Sequence, residues 1–94
     1  MSGLSIIIPV YQEKKNLYKL IHLINKTLVI KKFEIIIIDD DSNDGSHEVL
    51  KILVKKFNNL KFFIRKDKPR DLSRSCVMGF NKAKFDTILV MDGD

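Results

Sequence analysis

An α/β fold is predicted, with a parallel sheet in the order 3-2-1-4 and helices on both faces. Short β-branched runs alternate with amphipathic stretches along the chain, the pattern of strands joined by helices. One of those runs, Phe33 to Ile38, is unbroken Ile-rich sequence, as expected of a strand buried on both faces. The strand order follows from handedness. Crossovers between parallel strands are right-handed, so a βαβαβ start winds outward and then returns past the first strand for the fourth.

The first strand is read over Leu4–Ile8 and closed by Pro9, which has no N–H to give a central ladder. From about Lys14 to Leu28, Leu17, Leu20, Ile21, Ile24 and Leu28 recur at helical spacing, with Lys14, Lys15, Lys19 and Lys26 opposite them. After the second strand, Asp39 to Ser46 is a polar turn in which Asp44 or Ser46 can cap the next helix. That helix is marked by Val49, Leu50, Leu53, Val54 and Phe57. Lys61–Arg65 is a weaker third strand, and Lys66–Arg70 with Pro69 is loop. Asp71 or Ser73 opens a third helix through about Lys84, with Leu72, Cys76, Val77, Phe80 and Ala83 expected inward. Thr87–Met91 is the fourth strand, left as an apolar edge.

At 94 residues the chain is one domain or part of one. No apolar run approaches the roughly 20 residues of a spanning helix. The N-terminus lacks a signal-peptide pattern and Cys76 is the only cysteine, so a reducing cytoplasm is the expected compartment. The net charge of +5 gathers in the second half. Helix lysines there read as a solvated face rather than a nucleic-acid surface, while Arg70, in a loop, could hold a phosphate.

Open α/β sheets bind ligands where the winding reverses, at the carboxyl ends of strands one and four. Pro9-Val10-Tyr11-Gln12-Glu13 leaves the first of these and Asp92-Gly93-Asp94 the other. Two carboxylates one residue apart suit a hard cation that keeps positions open for phosphate oxygens, and Gly93 between them would let a ligand approach the backbone. Both are expected to be exposed and without basic partners. Asp39, Asp40, Asp41 and Asp44 repel one another unless neutralised. Asp44 reads as turn and cap, and Asp40 as an acceptor for a nucleobase or ribose. His22, His47 and Cys76 lack partners at metal-ligand spacing.

These segments resemble family 2 glycosyltransferases with the GT-A fold, most closely the polyprenyl-phosphate (dolichyl-phosphate) mannosyltransferase-like branch. Ser5 to Glu13 resembles the opening motif, Ile38 to Ser46 the second, Met91 to Asp94 the metal motif, and Arg70-Asp71-Leu72-Ser73 an Arg-Gly-Leu-Ser segment. Asp71 and Asp41 stand where that pattern has Gly, and Gly93 where Ala is commoner. The resemblance implies that Pro9, Tyr11, Glu13, Ile38 and Asp40 contact the nucleoside, Asp92 and Gly93 the nucleotide sugar, and Asp94 a Mg²⁺ or Mn²⁺ ion. Asp92 and Asp94 are then the catalytic pair.

The implied reaction transfers mannose or glucose, with inversion, from GDP-mannose or a UDP-sugar to a polyprenyl phosphate at the membrane surface. An anionic phosphate acceptor needs no strong general base, and none is evident. Asp94→Asn is expected to abolish turnover, and Asp40→Asn mainly to raise the donor KM. Residues 1–94 are expected to be the N-terminal, nucleotide-sugar-binding half of a longer domain, with the acceptor site and any membrane anchor beyond Asp94. A glycan or other hydroxyl acceptor is the alternative within the family. Outside it stand a nucleotidyltransferase, disfavoured because no glycine follows the first strand, and a non-catalytic nucleotide-binding or response-regulator-like module, whose acidic residues follow other strands.

Overall fold

The computed structural model describes residues 3–29 and 32–93. Four parallel strands, β1 (Leu4–Val10), β2 (Phe33–Asp39), β3 (Leu60–Ile64) and β4 (Thr87–Val90), lie in the order β3-β2-β1-β4. They alternate with α1 (Leu17–Thr27), α2 (Ser46–Lys56) and α3 (Leu72–Lys82). The fold class and the strand order are as the sequence predicts.

Alternation of side chains along each strand divides the core in two. Ile6, Ile8 and Val10 of β1 and Ile35 and Ile37 of β2 meet Leu17, Ile21 and Ile24 of α1 and Leu50 and Leu53 of α2. Ile7, Ile36 and Ile38 face the other way, toward Met78 and Ala83 of the α3 side. Two outward crossovers on one face and the returning one on the other place β4 against β1. Continuous Ile in β1 and β2 is what burial on both faces demands.

Pro9 does not end β1. The strand runs on to Val10, with Pro9 opposite Ile38 and Val10 accepting the Asp40 N–H at 3.0 Å. The ladder to β4 stops earlier, at Ile7 opposite Val90, with Met91 donating to the Ile7 carbonyl. Ile7 and Pro9 face the same side of the strand. The missing N–H of Pro9 therefore falls where β4 has already left the sheet, and no ladder bond is lost.

The inward face of α3 also differs from expectation. Ser75 and Gly79 are its buried residues, whereas Leu72, Val77 and Phe80 are 68%, 53% and 43% exposed. A Cβ at Gly79 would collide with Ile7 Cγ2, so small residues bring the helix against the sheet more closely than branched ones could. Cys76 is half-buried. Further small differences lie at element ends: residues 14–16 form a turn before α1, and α3 stops at Lys82.

The opposite end of the sheet is pinned by one buried carboxylate. Glu34 on β2 accepts from the Ser5 hydroxyl at 2.6 Å and the Lys84 N–H at 2.7 Å, and pairs with Lys61 Nζ at 2.8 Å. Burial pushes this carboxyl up, but Lys61, the Lys84 N–H and the Ser5 hydroxyl together outweigh it and hold it below its ordinary value. This network joins β1, β2, β3 and the turn before β4, leaving the carboxyl ends of the strands for the site.

Candidate functional site

A cleft of about 350 Å³ opens at the carboxyl ends of β1 and β4. From β1 it receives Pro9, Val10 and Tyr11, and from the end of β4 Asp92. Asp40 enters from β2, and Arg70, Leu72 and Ser75 come from the loop and first turns of α3. Five of the residues singled out in the sequence, Pro9, Tyr11, Asp40, Arg70 and Asp92, thus converge although they come from four separate segments. The two segments that the topology was expected to join do meet here.

Tyr11 follows β1 directly and is 38% exposed, with the Arg70 guanidinium 4.3 Å from its ring centroid. This cation–π contact makes a flat wall carrying one positive charge. Gln12, next along, sits at φ +57. Its N–H donates to Ser42 Oγ at 2.7 Å, and its amide exchanges hydrogen bonds with Asn43 through Nε2 at 2.8 Å and Oε1 at 2.7 Å. The β1 loop is therefore latched to the β2 loop, and that fixes where Tyr11 stands.

The four carboxylates at and after the end of β2 escape mutual repulsion because each has its own partners. Asp39, fully buried, accepts from the Ser42 N–H and hydroxyl, both at 2.7 Å, and meets His47 Nε2 at 2.8 Å. Asp40, 7% exposed, accepts from Arg65 Nε at 3.0 Å and from the Asp71 N–H at 2.8 Å. Asp41 pairs with Lys68 at 3.5 Å. Asp44 accepts from the Lys14 N–H at 3.2 Å and from the N–H and hydroxyl of Ser46. Burial raises the Asp44 carboxyl, and the Ser46 and Lys14 donors more than reverse that.

Asp40 is consequently not a free acceptor at a strand end. Its buried ion pair with Arg65 ties it to the end of β3, and the Asp71 N–H ties it to the cap of α3, where Asp71 in turn accepts the Arg74 N–H at 3.0 Å. Each carboxylate oxygen keeps a lone pair for a ligand. Asp41, standing where the resembled pattern has Gly, has φ +59, a left-handed conformation that Asp tolerates better than most side chains. Gly45, at φ +95, begins α2 and does what Asp44 or Ser46 was expected to do as N-cap residue, while Asp44 serves the first turn from one position earlier.

Three expected contacts stand elsewhere. Glu13 lies outside the cleft, in a shallow depression with Lys14 and Asp44, and its Oε1 accepts from Asn16 Nδ2 at 2.8 Å. Ile38 is wholly buried toward α3 and reaches the cleft only through its backbone pairing with Pro9. Gly93 is buried, and a Cβ there would come within 2.6 Å of Val10 Cγ1 and 3.1 Å of the Pro9 carbonyl. What its missing side chain admits is β1, so that the β4 loop can lie against the strand end. Alanine at this position would require either the Val10 side chain or that loop to shift.

Asp92 is exposed at the cleft. Asp94, expected to hold the metal, lies outside the described residues. Among the described residues no group of three or more His, Cys, Asp or Glu side chains could hold a metal. Mg²⁺ needs no such cage, because it is commonly held by one or two carboxylates and completed by substrate phosphates and water. An exposed carboxylate at a strand end, facing an arginine-walled cleft, fits that manner of binding. The supporting groups Arg65 and Ser42, which bind Asp40 and Gln12 across 25 and 30 residues, leave no local signal in the sequence, and neither do His47, whose ring turns back to Asp39, and Ser75, which lines the cleft. No helix of the described residues is long and apolar enough to cross a membrane.

Comparison with known proteins agrees with this arrangement. A family model described as "Glycosyl transferase family 2" matches residues 5–94. Dolichol-phosphate mannosyltransferase of Pyrococcus furiosus is 39% identical over 90 residues, covering 96% of this chain and 25% of that protein. The enzyme of the same name from Saccharomyces cerevisiae is 34% identical over 93 residues, covering 96% of this chain and 34% of that protein. A mannosyltransferase from Pyrobaculum calidifontis, solved in complex with GDP-Man and Mn²⁺, superposes with a TM-score of 0.85 at 17% identity over 97% of this chain and 27% of its own. TarS 1-349 of S. aureus, in complex with UDP-GlcNAc, gives 0.84 at 22% identity over 99% of this chain and 27% of its own. At these identities the structural likeness is one of fold, that of GT-A glycosyltransferases. The chain spans between 25% and 34% of the length of the two mannosyltransferases it matches in sequence.

Proposed function

The chain belongs to glycosyl transferase family 2, and on that footing we propose that residues 1–94 form the donor-binding part of a hexosyltransferase that passes a sugar from a nucleoside diphosphate to a polyprenyl phosphate. The observation that carries this reading is the single cleft in which Tyr11 after β1 and Asp92 after β4 meet Asp40 and Arg70. A relative's name, dolichol-phosphate mannosyltransferase, supports mannose as the sugar and a lipid phosphate as acceptor, and the GDP-Man bound by a structural neighbour supports GDP as its carrier.

Tyr11, with Arg70 against its ring, offers a stacking wall for the base, and Asp40 accepts hydrogen bonds from base or ribose. Its orientation is set in advance by Arg65 and the Asp71 N–H, so little ordering remains to be done on binding. Pro9 and the backbone of Ile38 form the floor, and Arg70 places its charge beside the diphosphate. Glu13, in its own depression on the flank of the β1 loop, and Gly93, packed on Val10, shape the two loops from outside the cleft. Asp94, with Asp92 beside it, would hold a Mg²⁺ or Mn²⁺ ion, which supplies Lewis-acid stabilisation of the leaving diphosphate, a role worth several kcal/mol.

Transfer with inversion forms a bond from an acceptor phosphate oxygen to the anomeric carbon as the bond to the diphosphate breaks on the opposite side. The acceptor is already anionic, so no residue of this cleft has to remove a proton from it. Its binding groups, and those that bring the enzyme to the cytoplasmic face of a membrane, are assigned to sequence beyond Asp94.

Calorimetry on the full-length protein tests the reading. GDP-mannose or a UDP-sugar is expected to bind in Mg²⁺ or Mn²⁺ and to lose most of its affinity in chelator. Equal affinity in chelator would remove the metal's role, and no binding of either donor would remove the donor site.

A further inference from the structure

We propose that the Ser75 hydroxyl contacts the nucleobase of the bound nucleoside diphosphate and helps set which base is accepted, an inference that rests on the donor-site reading above. Ser75 is 1% exposed and lines the cleft, yet its Oγ is buried without a hydrogen-bond partner. Leaving a buried hydroxyl unpaired is costly, and Ser in a helix ordinarily avoids it by bonding back to a carbonyl one turn earlier. Here the Asp71 carbonyl accepts the Ser75 N–H at 3.1 Å, and the hydroxyl makes no such back-bond.

Its place in the cleft follows from packing. Gly79 lies directly on Ile7 of β1. One helical turn back, about 6 Å, brings α3 to Ser75. Two residues along β1, about 6.6 Å, bring that strand to Pro9. Ser75 therefore stands over Pro9. It is also one turn from Asp71, whose N–H holds Asp40 at the end of β2. Asp92 enters from β4, on the other side of β1. A diphosphate anchored at Asp92 consequently points its nucleoside across β1 toward Asp40 and Ser75. A hydroxyl donates and accepts, so at that place it can answer either a base carbonyl or a base N–H.

Calorimetry with GDP, UDP and the base-free probe pyrophosphate, all in Mg²⁺, on wild-type and Ser75→Ala full-length protein decides the matter. The variant should bind the tighter of the two nucleotides about five- to tenfold more weakly, the worth of one hydrogen bond. Pyrophosphate affinity should be unchanged, and the melting temperature without ligand equal or higher, since an unpaired polar group has been removed. Unchanged nucleotide affinity would overturn the proposal, as would equal loss for pyrophosphate or a fall in melting temperature of many degrees. If wild-type protein binds neither nucleotide, the donor site itself fails and the role of Ser75 with it, a pattern distinct from a wild type that binds and a variant that binds as well.

Discussion

Asp40 shows how a residue with one evident use acquires a second in the fold. Placed by sequence at a strand end, it reads as an acceptor for the nucleoside, and its substitution would then mainly raise the donor KM. The structure gives its two oxygens to Arg65 and the Asp71 N–H, with Arg65 itself 3% exposed. Removing the carboxylate charge strands a buried guanidinium, a loss of about 3–5 kcal/mol for such pairs. Asp40→Asn is therefore expected to lower the melting temperature markedly as well as donor affinity, and Arg65→Met in the same chain to restore part of the stability. A variant that melts like wild type and shows only a raised KM would refute this coupling.

At the scale of elements, the site is held by contacts between loops and by one closely packed helix. Ser42, Asn43 and Gln12 latch the β1 loop to the β2 loop, and Asp39 with His47 secures Ser42 from beneath. Helix α3 reaches the cleft because Gly79 lets it lie on Ile7. Gly79→Ala should cost about 1–3 kcal/mol through overpacking, despite the better helix propensity of alanine, and should weaken donor binding by shifting Arg70 and Ser75. Val77→Ala, on the exposed face of the same helix, should change stability by no more than about 0.5 kcal/mol. Thermal melts of the two side by side separate these faces, and equal costs would contradict the orientation of α3.

Across the whole molecule, the two ends of the sheet divide the work: a buried carboxylate network stabilises one, and the other is left for ligand. Glu34 has its carboxyl held below the ordinary value of 4.5, so its contribution is complete above that pH and is lost as the pH falls through the lower folded value. Asp44 acts in the same sense below 3.8. Melting temperature should thus hold down to about pH 5 and decline below 4.5, and Glu34→Gln, less stable at neutral pH, should show a shallower decline. An equally steep acid limb in that variant would place the acid sensitivity elsewhere. The remaining border, β4, exposes Ile88, Leu89 and Val90 at 40–45%. This is the apolar edge the sequence leads one to expect.

The strands, the helices, their order in the sheet and the meeting of Tyr11 with Asp92 were all legible in the chain, because periodicity and crossover handedness are local or topological rules. The family was legible too, from short motifs lying at strand ends. Tertiary contact alone decided that Pro9 continues β1, that α3 turns Ser75 and Gly79 inward, that Gly93 yields to Val10, and that Asp40 is paired with Arg65. Those outcomes depend on which atoms approach across tens of residues. A hydrophobic pattern records whether a side chain is apolar, and it is silent about how near a neighbouring backbone will come.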